Sequence, residues 1–172
     1  MSIKNMIIQG LFIFCLVLAP GYGKTVLAAA PDGDIKVDIP VVLKSAKVLF
    51  DIERVSFAGD VPVALHFMDI MANKFAEQGT RGQIIGIFYG EATYLLLSDA
   101  AYNARRHVTT GNPYKGLISG LQGLGVQIEV CGTAMKLQNI RNEDLLPDVK
   151  VNGGANLRMV QLMQEGFMRL QP

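Results

Sequence analysis

Tryptophan is absent from the 172 residues, and there are only two cysteines and two histidines. So few cysteines exclude a disulfide framework and a cysteine-rich zinc site. Charge is sparse as well: 18% of residues, 16 basic against 15 acidic, for a net +1. A general nucleic-acid binder shows a basic excess or stripe, so nucleic acid is not an expected partner. Internal repeats and low-complexity stretches are also missing. What is present is apolar: half of the residues, too many for a disordered chain. One domain of this length buries roughly 70% of the surface its unfolded chain exposes, so its core needs no staples.

The first thirty residues read as a secretory signal peptide. Lys4 precedes an apolar run from Met6 to Leu18, broken only by Gln9 and Gly10, and Ala28, Ala29 and Ala30 follow. A spanning helix needs about 20 apolar residues, so the run favours a cleaved signal over an anchor and no stable membrane span after cleavage. Val26-Leu27-Ala28 and Ala19-Pro20-Gly21 both offer cleavage sites. Gly21 to Thr25 ends like a phosphate loop, but Leu18 stands where the motif needs glycine. Phe14 before Cys15 argues against a lipoprotein. Removal of residues 1–30 takes Lys4 and Lys24 with it, so 16 basic residues fall to 14 against 15 acidic, a net −1. Cys131 is then the sole cysteine, in a periplasmic or secreted setting where an unpaired thiol is notable.

Residues 31–46 mix Pro, Asp, Gly and Val and read as a leading arm. Short apolar runs of strand length follow at Lys47–Ile52, Gln83–Tyr89, Val126–Cys131 and Val149–Asn152, with a fifth strand or packed tail at Gly166–Leu170. Helices are predicted between them. The first runs from Val61 to Glu77, with Asp60 as N-cap and Pro62 in the first turn, and ends at Gly79. A second spans Ala92–Ala104. A third starts at Asn112-Pro113, with Asn112 as cap, and closes at Gly125. A fourth opens at Gly132 or Thr133, and a last one covers Ala155–Gln164. Continuous apolar strands alternating with helices predict a single α/β domain over residues 47–172, its mainly parallel sheet of about five strands covered on both faces.

Ligands of open parallel sheets collect outside the carboxyl ends of the strands. Cys131 ends the third predicted strand, and Gly132 and Thr133 open the next helix. The free N–H groups and partial positive charge of that helix would favour thiolate, the nucleophile of sulfur exchange. Gly132 would leave room around the sulfur. A small buried hydrophobe is the competing role for Cys131, and position alone does not separate the two. The absence of a second mature cysteine excludes an internal dithiol. His66 falls on the polar stripe of the first helix, a solvated face. Arg105, Arg106 and His107 form a basic cluster that is either solvated or an anion site. Either histidine could pair with Cys131 in three dimensions. No His, Asp and Glu group has metal-ligand spacing. Gly120, Gly123 and Gly125 lie late in a helix, outside the dinucleotide context, and no cofactor is expected. Helical methionines read as core filler.

The C-terminal half resembles the DsrE/DsrF-like family. The resemblance rests on Asn112-Pro113-Tyr114, Gly125-Val126, Cys131 with Ala134-Met135-Lys136-Leu137, Asp144 to Pro147, Val149, Val151, Gly153, and Gln164 to Phe167. Lys47–Ile52 is similar to the family's first strand, so the match spans roughly residues 46–172. It implies a flavodoxin-like or Rossmann-like domain and a homo-oligomer, commonly a trimer or hexamer. It also implies persulfide carriage, with Cys131 at the position of the sulfur-carrying cysteine. The partner would be a sulfur donor or acceptor protein or a small sulfur compound. The signal peptide departs from the cytoplasmic sulfur-relay members. A non-catalytic oligomeric module that binds a small ligand or a protein, with Cys131 as packing, stays open beside this reading.

Overall fold

A computed structural model describes residues 35–172. The expected signal peptide and the start of the arm lie outside the described residues. The chain divides into two units at Pro40. In the first, the described residues 35–40 contain no helix or strand and expose Ile35, Val37 and Ile39.

The second unit holds five parallel strands: β1 (Ser45–Ile52), β4 (Arg81–Phe88), β5 (Gln127–Cys131), β6 (Lys150–Asn152) and β7 (Met168–Leu170). Their order across the sheet is β6-β5-β4-β1-β7. The helices are α1 (Val63–Gln78), α2 (Asp99–Arg106), α3 (Lys115–Gly123), α4 (Gly132–Leu137) and α5 (Ala155–Gln164). This is the expected α/β fold with a flavodoxin-like or Rossmann-like layout. Side chains of a strand alternate between faces, so each apolar run feeds two cores. Val48, Phe50, Ile84, Phe88, Ile128 and Val130 pack with Leu65, Met68, Ile118 and Leu121 of α1 and α3. Leu49, Ile85 and Ile87 turn the other way, towards Met159 and Leu162 of α5. Both cores are dry: Leu49, Phe88, Met68 and Ile118 are fully buried.

Several local expectations need correction. β1 begins at Ser45, inside the segment read as an arm, because Ser45 and Ala46 pair in register with Arg81 and Gly82. Asp60 does not cap α1. Val61-Pro62 instead pairs with Phe57-Ala58 as a two-stranded ribbon of β3 and β2, and α1 starts after Pro62 without a side-chain cap. The predicted helix over Ala92–Ala104 is two pieces. A 3-10 segment covers Gly90–Leu96, Leu97 is extended and bridges to Leu145, and Ser98 caps α2 by accepting from the Ala101 N–H. Gly79, in the left-handed region at φ 65°, ends α1 as expected.

Asn112 does not cap α3, which starts three residues later. It is 2% exposed and ties the break to the helix start. Its amide donates to the Leu95 and Leu97 carbonyls at 2.9 and 2.6 Å, and its Oδ1 accepts from the Tyr114 N–H at 2.9 Å. Asn112→Ala strips two buried carbonyls of their donor and should destabilise the fold by at least about 2 kcal/mol, read from urea unfolding midpoints.

Candidate functional site

Cys131 is the last residue of β5 and the N-cap of α4, where its Sγ accepts from the Ala134 N–H at 3.4 Å. A second donor comes from another element: Ala155 N–H, at the start of α5, lies 3.3 Å from the same sulfur. The thiol therefore sits where the N-terminal ends of two helices meet, each with N–H groups unsatisfied within its helix. A cap side chain turns to the third N–H of its helix, so Ala134 is the α4 residue that reaches it. Gly132 and Thr133 occupy the two positions between. The close approach that demands glycine at 132 is to the next strand: a Cβ there would lie 2.9 Å from the Asn152 carbonyl oxygen. Cys131 is 5% exposed and packs with Leu49, Ile85, Ile87 and Met159.

A cavity of about 400 Å³ opens over the sulfur. Its floor and walls come from Tyr89 and Gly90 after β4, Cys131 and Ala134, and the Gly153-Gly154 turn before α5. Leu137 and Leu157 line it while remaining 81% and 79% exposed. All these residues follow the carboxyl ends of parallel strands, the rim at which such sheets hold ligands. A larger cavity, about 680 Å³, lies along α1 and is lined by no cysteine, histidine, aspartate or glutamate.

The face of the sheet that carries Cys131 also carries buried charge, which the sequence reading missed. Glu129, two residues before Cys131 on β5, is 2% exposed. Arg158 of α5 grips it through Nε and Nη2 at 2.9–3.1 Å, and the Asn152 amide donates to it at 3.1 Å. On β1, Asp51 is 1% exposed and bonds Arg169 of β7 through Nε and Nη2. Tyr89 stands between Asp51 and the thiol cavity. Burial, and a hydrogen bond to the Asp51 carboxylate, push its phenol up to about 12. The clue was available: Asp51 and Glu129 are acidic residues inside apolar runs of strand length, and such residues are almost never buried unless paired.

The remaining predicted candidates fall elsewhere. His66 is exposed on α1, in line with a solvated face, and His107 caps α2 in the left-handed conformation. Neither lines the cavity over Cys131. The basic cluster is committed to the protein. Arg105 bonds the Gln138 side chain and its carbonyl, and Arg106 lies 4.7 Å from the centre of the Tyr94 ring. Gln138 is itself held at both ends, its Oε1 accepting from Thr93 at 2.8 Å and its Nε2 donating to the Gly90 carbonyl at 2.7 Å. Among the described residues no group of three or more His, Cys, Asp and Glu is placed to hold a metal, and no helix is long and apolar enough to cross a membrane. Met68, Met135 and Met159 are core residues, whereas Met163 and Met168 are exposed.

Two outcomes follow from these charges. Arg158→Met leaves a buried, unpaired carboxylate and should destabilise by about 3 kcal/mol; the double variant Glu129→Met with Arg158→Met should recover most of that loss in urea unfolding. The Tyr89 phenol keeps its proton to about pH 12 when folded and releases it near 10.0 when unfolded. Its contribution is thus full below pH 10 and is lost as pH rises from about 10 to 12. Tyr89→Phe should flatten that alkaline loss and remove one late step from a phenolate absorbance titration. Tyr94, also pushed to about 12 by burial, should remain.

Known proteins agree with this architecture. A solved structure of a protein of unknown function from Methanobacterium thermoautotrophicum superposes with a TM-score of 0.58 at 21% identity, covering 74% of this chain and 99% of that one. At that identity it supports the fold. No curated protein matches the chain significantly. The DsrE/DsrF-like family model matches residues 48–170, from within β1 to the end of β7, and the chain belongs to that family.

Proposed function

We propose that the protein carries sulfane sulfur as a persulfide on Cys131, in the cell envelope, between a donor and an acceptor. The observation that carries this reading is the convergence of the Ala134 and Ala155 N–H groups on one sulfur beneath an open cavity. In the step itself the Cys131 thiolate attacks a sulfane sulfur, a new S–S bond forms, and the donor's S–S bond breaks with its electron pair leaving on the donor thiolate. N–H donors aimed at sulfur hold the negative charge present before attack and again on the persulfide. The first-turn N–H groups of Gly132 and Thr133 are the donors assigned to the outer sulfur. Export through residues 1–30 and assembly as a trimer or hexamer belong to the same reading. The partner is a sulfur donor or acceptor protein or a small sulfur compound.

One observation favours a second reading. Cys131 is 5% exposed and shares a cluster with Leu49, Ile85 and Met159, which is how a packing cysteine sits. The domain would then be a non-catalytic module that holds a small ligand or a protein.

Intact-mass spectrometry after exposure to inorganic polysulfide separates the two. The expected result is a gain of one sulfur atom, removed by reductant and absent from Cys131→Ser. A folded protein that gains no sulfur would overturn the persulfide reading and leave the binding module.

A further inference from the structure

We infer that the cavity over Cys131 takes an uncharged organic persulfide, R–S–S–H with an apolar R group, in preference to a small sulfur anion such as thiosulfate. This rests on the persulfide reading and names the donor's chemical class.

The first argument is the charge of the walls. No charged side chain lines the cavity among the described residues. Two guanidinium groups adjoin the lining residues, and each is held by another side chain: Arg105 by Gln138 and Arg158 by Glu129. The polar side chains that do line it are also occupied or neutral. Gln138 is held at both ends by Thr93, Arg105 and the Gly90 carbonyl. Tyr89 stays a neutral phenol facing Asp51. A dianion entering this space would shed water without meeting a cation in its lining, and the first-turn N–H groups of Gly132 and Thr133 offset only part of that loss.

The second argument is size and surface. A space of about 400 Å³ falls in the range of small-molecule sites and far exceeds what a single inorganic sulfur anion fills. Leu137 of α4 and Leu157 of α5 stand at its walls, 81% and 79% exposed. Exposed leucines flanking a cavity lose apolar surface to water when an apolar group arrives between them. The R group of a persulfide supplies that group, while the outer sulfur reaches Cys131 below.

The transfer balances without an added oxidant or reductant. The Cys131 thiolate forms a bond to the outer sulfur of R–S–S–H, and the donor's S–S bond breaks with its electron pair leaving on R–S⁻. The proton on the transferred sulfur passes to R–S⁻, so the products are Cys131–S–S⁻ and R–SH. The uncharged donor is the reactive form, because a thiolate attacks a neutral sulfur more readily than an anionic one.

The test is a set of initial loading rates on the full protein, read by intact mass. The donors are benzyl persulfide, glutathione persulfide, thiosulfate and inorganic polysulfide. Benzyl persulfide should load Cys131 about tenfold faster than glutathione persulfide, the effect of burying roughly two methylene groups. Thiosulfate should be slowest. In Leu137→Gln and Leu157→Gln the benzyl-to-glutathione rate ratio should fall at least about fivefold. Leu117→Gln, on α3 at the opposite face, should keep the ratio. Equal rates for the two organic donors, or a ratio unmoved by the leucine variants, would overturn this inference while leaving the persulfide reading intact. Failure of every donor, polysulfide included, would overturn the persulfide reading itself.

Discussion

Parallel pairing of β4 between β1 and β5 places every group discussed above. Ile52 pairs with Phe88, and Phe88 with Val130, so the three strands run out at one level. Tyr89, the first residue past β4, and Cys131, the last of β5, come next, side by side at the carboxyl rim. Asp51 faces the same side from β1, because it pairs with Ile87, two residues before Tyr89. Parallel strands must send their connections back across a face of the sheet, so the same pairing brings helix N-termini to this rim. That is why α4 and α5, 23 residues apart in their starts, both deliver an N–H to one sulfur.

The α5 face differs in kind from the α1 and α3 face. The latter is an apolar core of leucine, isoleucine, phenylalanine and methionine. The former contains two carboxylates removed from water, each held by an arginine from elsewhere in the chain. Buried pairs of this type add little net stability, but they are costly to break and tolerate few alternative arrangements. Glu129 joins β5 to α5 and, through Asn152, to β6. Asp51 joins β1 to β7. These links hold α5 and the two edge strands in register with the rim where Cys131 lies. The Asn152 Oδ1 in turn accepts from the Gly154 N–H, which shapes the turn just ahead of α5.

Much of this was legible in order along the chain. Four of the five parallel strands and the last helix were placed within a few residues, because a strand covered on both faces must be continuously apolar and bounded by turn residues, while Gly166–Leu170 was left as a strand or a packed tail. The misses share a cause. Asp60-Val61-Pro62 carries sound cap chemistry, but Val61 found a strand partner in Ala58, and pairing outweighed the cap. Ala92 to Ala104 has helical composition, yet Asn112 bonds the Leu95 and Leu97 carbonyls and Leu97 bridges Leu145. Those partners lie 15 or more residues away, beyond the reach of local propensity. Arg105 and Arg106, read as either solvated or an anion site, are exposed and lean on Gln138 and Tyr94.

By itself the sequence determined the α/β class, the parallel sheet, the family, and the position of Cys131 at a strand end. The class, the sheet and the place of Cys131 follow from apolar run length and turn residues, and the family from a resemblance over residues 46–172. Only the tertiary structure decided which groups surround that thiol. Ala155 lies 24 residues further on, Tyr89 lies 42 residues back, and Arg158 meets Glu129 across 29 residues. Such neighbours are chosen by strand order and by the single helix that crosses back over the sheet, and no window of sequence contains that information.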